Sequence, residues 1–179
     1  TLFEPAAWSA DASPVIEADG MATTRPGLAL AVKTADCQPV LLAHASGRVA
    51  AALHVGWRGN RQNYPGRAVA ELCDRYALDP ADLSAVRGPS LGPAAAEFTG
   101  FDSEWGEAFR PWFDAAARTM NLWRLTRDQL VSAGLRPDRV YGLDFCTVSL
   151  ADAFFSYRSD RNCGRQMSLI WLANRNDRA

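Results

Sequence analysis

Thr34-Ala35-Asp36-Cys37-Gln38-Pro39-Val40-Leu41-Leu42-Ala43-His44-Ala45-Ser46-Gly47-Arg48-Val49-Ala50-Ala51-Ala52-Leu53-His54-Val55-Gly56-Trp57-Arg58-Gly59 is the stretch on which the reading of the chain turns. Two short apolar runs, Pro39 to Ala43 and Val49 to Val55, flank the polar, glycine-containing segment His44 to Arg48, the pattern of two β-strands joined by a hairpin. In an antiparallel pair the numbers of facing residues sum to a constant. A two-residue Ala45-Ser46 turn therefore sets His44 opposite Gly47 and Cys37 opposite His54, and a turn shifted by one residue moves the partner of Cys37 to Gly56. Facing Cβ atoms lie roughly 4.5 to 5.5 Å apart, so a thiol and an imidazole can meet. Alternation along the second strand places Val49, Ala51, Leu53 and Val55 on one face, the expected core, and Ala50, Ala52 and His54 on the other. The two alanines leave space beside His54, and both Cys37 and His54 stand at strand ends next to loops, where a pocket would open.

Working outward, residues 1 to 27 read as irregular, punctuated by Pro5, Pro14, Gly20, Pro26 and Gly27, with one edge strand. Leu28 to Val32 is a further apolar run. Pro65 opens a helix expected to reach Tyr76, with Ala68, Val69, Leu72 and Cys73 on its apolar face. Leu83 to Val86 follows as a strand, then the constrained loop Gly88 to Pro93. Helical spacing returns over Glu104 to Ala117 and again from Thr126, where Thr126-x-x-Gln129 has the form of a capping box and Gly134 marks the end. Strands are expected over Arg139 to Leu143 and Gln166 to Leu172. Strands and helices without regular alternation predict an α+β layered sandwich rather than a doubly wound sheet. No Gly-x-Gly-x-x-Gly or phosphate-loop sequence is present, which argues against dinucleotide and P-loop chemistry.

With 179 residues, 48% of them apolar, the chain has the material for one core and one domain. Its formal net charge of -1 gives no electrostatic footprint for nucleic acid or an anionic membrane. No run approaches the ~20 apolar residues that cross a bilayer, and the opening residues lack the features of a signal peptide, so a cytoplasmic location is expected. The four cysteines, Cys37, Cys73, Cys146 and Cys163, form no Cys-x-x-Cys pair.

Cys37 and His54 side by side suit two chemistries. They can be two ligands of a zinc ion, whose third protein ligand and open position would activate water or substrate. The imidazole can instead lower the thiol pKa and make Cys37 a nucleophile. Asp36 is expected to orient His54 in either scheme, which makes Cys37, His54 and Asp36 the candidate catalytic residues. The plain alternative is a buried small hydrophobe and a satisfied structural histidine. Next to His54, Arg58 is the candidate for a phosphate or carboxylate and Trp57 for stacking against a ring, in what reads as a flexible turn. Arg158 and Arg165 would add a second cationic wall, and Cys146, which follows a strand, is placed to reach the site. His44 belongs to the hairpin turn, and Cys163 to a loop.

Taken in order, Ala18-Asp19-Gly20-Met21, Arg25-Pro26-Gly27-Leu28-Ala29-Leu30, Thr34-Ala35-Asp36-Cys37-Gln38-Pro39-Val40, His54-Val55-Gly56-Trp57-Arg58-Gly59, Gly88-Pro89-Ser90-Leu91-Gly92-Pro93, Cys146-Thr147, Phe154-Phe155-Ser156-Tyr157-Arg158 and Gly164-Arg165 resemble the successive signatures of the YfiH-like, laccase-domain family of purine nucleoside phosphorylases. The resemblance implies an α/β/β/α sandwich with the cysteine-hydrolase-like fold, as a single domain over 1–179 that lacks the family's usual N-terminal part. It implies a zinc site of one Cys and two His, with Cys37 and His54 matching the Cys and the second His. The family carries its first zinc His in a Gln-Val-His segment upstream of Ala-Asp-Gly, and this sequence has no His before His44. It also implies phosphorolysis of adenosine, inosine, guanosine and methylthioadenosine to base and sugar 1-phosphate, often with adenosine deaminase activity. Phosphate would be held by Arg58 with Arg158 or Arg165. After Gly-Pro-x-x-Gly-Pro the family has cysteines and a tyrosine where Ala94-Ala95-Ala96-Glu97-Phe98 stand here. The older name, multicopper polyphenol oxidase, suggests copper chemistry, but two histidines and scattered cysteines cannot build a multicopper cluster. The other readings are a Cys-His hydrolase of cell-wall precursors, active in peptidoglycan editing, and a binding protein without activity.

Overall fold

The computed structural model describes residues 2–3 and 17–174. Its strands are β1 (Leu2–Phe3), β2 (Gly20–Thr23), β3 (Leu30–Thr34), β4 (Gln38–His44), β5 (Ala50–Val55), β6 (Leu83–Arg87), β7 (Phe113–Asp114), β8 (Thr119–Met120), β9 (Val140–Gly142) and β10 (Gln166–Ile170). The helices are α1 (Trp57–Arg61), α2 (Tyr64–Tyr76), α3 (Phe101–Glu104) and α4 (Leu122–Ser132). Six strands form one sheet in the order β1-β2-β5-β4-β6-β9, β10 pairs with β3, and β7 with β8. The fold is α+β and YfiH-like, with helices on one face of the large sheet and the β10–β3 pair on the other.

The alternation of β5 builds both layers. Ala51, Leu53 and Val55 pack with Val40 and Leu42 of β4 against Val69 and Leu72 of α2 and Leu130 of α4. Removing a side chain such as Leu53 from water contributes roughly 1.5–3 kcal/mol. On the opposite face Ala52 lies under Leu30 and Val32 of β3. The room expected beside His54 is therefore filled along the strand, and space opens only past its end. A third apolar cluster, Leu91, Phe98, Phe101, Trp105, Met120 and Leu122, closes that end of the sheet. The outward face of the β10–β3 pair keeps Met167, Leu169 and Trp171 exposed.

Four local expectations are corrected. The hairpin turns through four residues, closed by His44 N–H donating to Val49 O at 3.1 Å and Gly47 N–H to His44 O at 2.9 Å, with Gly47 in the left-handed region at φ +66°. The register is Pro39 opposite His54 and Gln38 opposite Val55, which continued by one place sets Cys37 opposite Gly56, the second of the two registers considered. The stretch expected as a helix from Glu104 to Ala117 is instead a short 3-10 segment, Glu107–Trp112, and the small β7–β8 pair. Gly106 at φ +87° and Pro111 prevent a continuous helix there.

The last two corrections concern helix starts. α4 begins four residues before Thr126, capped by Asn121, whose side chain accepts from Arg124 N–H at 2.9 Å. Thr126 and Gln129 serve a buried network instead. Trp57 and Arg58 are not in a flexible turn but open α1.

Candidate active site

At the ends of β4 and β5 a cavity of about 690 Å³ is lined by Asp19, Asp36, Cys37, Gln38, His54, Trp57, Arg58, Phe98, Tyr157, Arg158 and Arg161, among others. The register explains how the two reactive side chains come together. Pro39 faces His54, so Cys37, two residues earlier, shares the face of His54 as its diagonal neighbour. Gly56 stands between them. A Cβ at that position would lie 3.2 Å from Cys37 Sγ and 4.0 Å from His54 Cε1, so the thiol and the imidazole close around a backbone that has no side chain.

His54 Nδ1 lies 3.3 Å from Asp19 Oδ1. If Nδ1 carries the proton, it donates to the carboxylate and Nε2 is left as an acceptor or ligand, which is how a carboxylate sets an imidazole's tautomer. Asp36 does not do this. Its Oδ1 accepts from the Thr147 hydroxyl at 2.7 Å and its Oδ2 from Arg158 N–H at 2.7 Å. The residue expected to orient His54 is thus engaged elsewhere, and Asp19 stands in its place.

The rim is cationic. Arg58, Arg158 and Arg161 line the cavity, and among the described residues none of their three guanidinium groups has a carboxylate partner. Arg58 lies 4.2 Å above the ring of Trp57, whose indole also meets Phe98 and Trp105 at 5.6 and 5.7 Å. That packing orients Arg58 and places Trp57 in the cavity wall. Arg165 and Cys146 do not line the cavity. Arg165 donates to Cys163 O and Gly164 O, each at 2.8 Å, and lies over Tyr157. Cys146 Sγ accepts from Gly92 N–H at 3.3 Å. His44 stays in the hairpin, bonded to Ser46.

Burial pushes the Cys37 thiol up, and the nearby charges of Asp36 and Asp19 push it further, against a smaller opposing pull from Arg165. Without a bound cation Cys37 is therefore a protonated thiol at neutral pH. Cys146 differs. Burial raises it, but the Ser149 hydroxyl and the N–H groups of Ser149, Gly92 and Val148 together hold it below the ordinary thiol value. Iodoacetamide is accordingly expected to label Cys146 before Cys37 in the folded, metal-free protein at pH 7, as read by peptide mass mapping. The reverse order would identify Cys37 as an activated nucleophile and favour the hydrolase reading.

Among the described residues no three His, Cys, Asp or Glu side chains form a metal-binding group. Cys37 and His54 supply two donors of the right chemistry for zinc, where a catalytic site uses three. The residues fit part of such a site.

Residues 4–173 match the family described as multi-copper polyphenol oxidoreductase laccase. The chain belongs to this family. Its relatives within the laccase family include the purine nucleoside phosphorylase of Xylella fastidiosa strain 9a5c, 38% identical over 87% of this chain and 61% of that protein. The purine nucleoside phosphorylase YfiH of Escherichia coli K12 is 36% identical over 87% of this chain and 64% of its own length. Among solved structures, YlmD of Geobacillus stearothermophilus matches with a TM-score of 0.76 at 27% identity, covering 87% of this chain and 61% of that one. The protein NMB0706 of Neisseria meningitidis matches at 0.75 and 33% identity, covering 88% and 66%. The chain thus spans about three fifths of the length of the first of these relatives.

Two charged lining residues escaped the sequence reading. Asp19 lies in the Ala18-Asp19-Gly20 signature but carried no sign of its partner 35 positions away. Arg161 follows Asp160 in a polar loop with no local signal of a role.

Proposed function

We propose that this chain catalyses phosphorolysis of purine nucleosides, adenosine, inosine, guanosine and methylthioadenosine among them, releasing the base and a sugar 1-phosphate. The observation that carries this reading is the set of three guanidinium groups without carboxylate partners on an aromatic-walled cavity that also holds Cys37 and His54. A phosphate dianion needs such a cluster, and a purine nucleoside needs the apolar wall.

In this reading Arg58, Arg158 and Arg161 hold inorganic phosphate beside the sugar. A phosphate oxygen bonds to C1′ while the bond from C1′ to the purine nitrogen breaks, and that electron pair passes into the base. With its ring in the imidazolium form and no metal on Nε2, His54, held through Asp19, supplies the proton that the departing base takes up. Trp57, with Phe98 and Tyr157, keeps water from competing with phosphate for the same carbon. Were Cys37, His54 and a third donor to hold a zinc ion, His54 would serve as a ligand in place of an acid, and the ion would supply Lewis acidity, which adenosine deamination at purine C6 also requires. Copper redox chemistry has no ligand set here, since the chain holds two histidines, and His44 lies in the hairpin turn bonded to Ser46.

Chromatography of adenosine, inosine and methylthioadenosine after incubation with the protein, with and without phosphate, tests the proposal. Free base together with sugar 1-phosphate, formed only when phosphate is present, is the expected result. Base release independent of phosphate would mean hydrolysis, and intact nucleosides after incubation with folded protein would sink the assignment.

A further inference from the structure

Asp36 lines the cavity with a backbone conformation and a set of carboxylate partners that do not include His54. At φ +86° it occupies the left-handed region that side-chain-bearing residues rarely adopt, although Asp tolerates it better than most. Its carbonyl accepts from Leu91 N–H at 2.9 Å, which fixes the Gly88 to Pro93 loop. Its two carboxylate oxygens take the Thr147 hydroxyl and the Arg158 N–H, both at 2.7 Å. One residue therefore gathers three separate chain segments around the start of β4, directly beside Cys37.

The Arg158 contact is the informative one. Residues 156–160 form a turn braced from within, with Asp160 N–H donating to Ser156 O at 2.9 Å and Ser159 N–H to the Ser156 hydroxyl at 3.2 Å. That turn carries Tyr157 and Arg158, and Arg161 follows directly, which together make one wall of the cavity. The turn is tied to the body of the protein by Phe155 N–H to Gln166 Oε1, by Arg158 to Glu97 O at 3.4 Å, and by the short bond to Asp36. Only the last reaches the segment that carries Cys37. A charge-assisted bond of that length is the strongest of the three. Thr147 is fully buried, which anchors the second carboxylate oxygen to the interior.

We infer that Asp36 is a positioning residue, which sets the distance between the arginine wall of residues 157–161 and the Cys37/His54 pair. The role rests on the phosphorylase reading for its kinetic consequence, but its structural part stands independently of it. An ordinary loop brace would stabilise the fold without favouring one substrate. This one governs the side of the cavity that meets the anion.

Asp36→Asn isolates the charge, because Asn tolerates the same backbone conformation but, whichever partner its carbonyl turns to, leaves only neutral hydrogen bonds to Arg158 N–H and Thr147. Thr147→Val, which leaves Asp36 in place, serves as a milder second variant. Hydrogen exchange of the peptide spanning residues 154–161 is expected to quicken roughly tenfold or more in Asp36→Asn, the scale of a lost charge-assisted bond. The KM for inorganic phosphate should rise by a similar factor, with kcat for nucleoside cleavage and the KM for nucleoside changing little. Thr147→Val should move both readouts in the same direction and less far. Unchanged exchange in a folded Asp36→Asn protein would overturn the inference, and so would a collapse of kcat at unchanged phosphate KM, which would place Asp36 among the reacting groups. If the unsubstituted protein shows no phosphorolysis, the proposed function fails while the exchange result still decides the role of Asp36.

Discussion

Asn60→Ala is expected to destabilise the fold by roughly 3–5 kcal/mol. Asn60 is completely buried at the junction of α1, α4 and β4. Its Oδ1 accepts from Gln38 Nε2 at 3.0 Å, and its Nδ2 donates to Thr126 Oγ1 at 2.8 Å and to Gln129 Oε1 at 2.9 Å. Gln129 Nε2 in turn donates to Asn60 O at 2.6 Å. Alanine removes three of these bonds at once and leaves the buried Gln38 amide donor, the buried Thr126 hydroxyl and the half-buried Gln129 carbonyl without these partners. Each bond lost contributes about 1 kcal/mol, and each buried group left alone costs about 1–3 kcal/mol, with partial relaxation bringing the sum into the stated range. For a domain of this size that corresponds to a fall in Tm of about 10 °C or more, measurable by circular dichroism. A shift of a degree or two would mean that the network is not closed as described.

The same network shows where sequence reading stops. Thr126 and Gln129 sit three apart, which is the spacing of a capping box and equally the spacing of two neighbours on one helix face. What decides between them is Asn60, 66 positions before Thr126, and no local pattern encodes that contact. The true cap is Asn121, which the sequence reading did not single out. The stretch from Glu104 failed for a related reason. Its apolar spacing reflects burial against the Trp57, Phe98 and Trp105 cluster, not one face of a helix, and Gly106 with Pro111 broke the backbone pattern.

The pairing of Cys37 with His54 was legible because it depends on parity. A hairpin turn that lengthens by two residues changes the sum of facing numbers by two, which replaces one partner with another but keeps every side chain on its face. Both registers considered therefore bring Cys37 and His54 to the same side. Gly56, left between them by the observed register, then provides the space that a direct pairing would not have needed. The roles of Asp19 and Asp36 could not be read in this way. The two carboxylates are similar in the sequence, each within a short signature, and only tertiary contacts assign one to His54 and the other to Thr147 and Arg158.

That assignment makes a sharp kinetic prediction. His54→Ala should lower kcat/KM for phosphorolysis by about 10²–10⁴, the range over which a positioned proton donor contributes. Asp19→Asn should cost about 10–100-fold, the usual effect of removing the carboxylate that holds a functional imidazole. Neither change should move Tm by more than a few degrees, because the pair is substantially exposed and such pairs contribute at most about 1 kcal/mol. The deciding measurement is the double variant. If Asp19 acts only through His54, then once the imidazole is gone the Asp19→Asn change has nothing left to disturb, and the double variant should be no slower than His54→Ala alone. If the two losses multiply instead, Asp19 meets the substrate directly, and the cavity holds a carboxylate contact on the nucleoside in addition to His54.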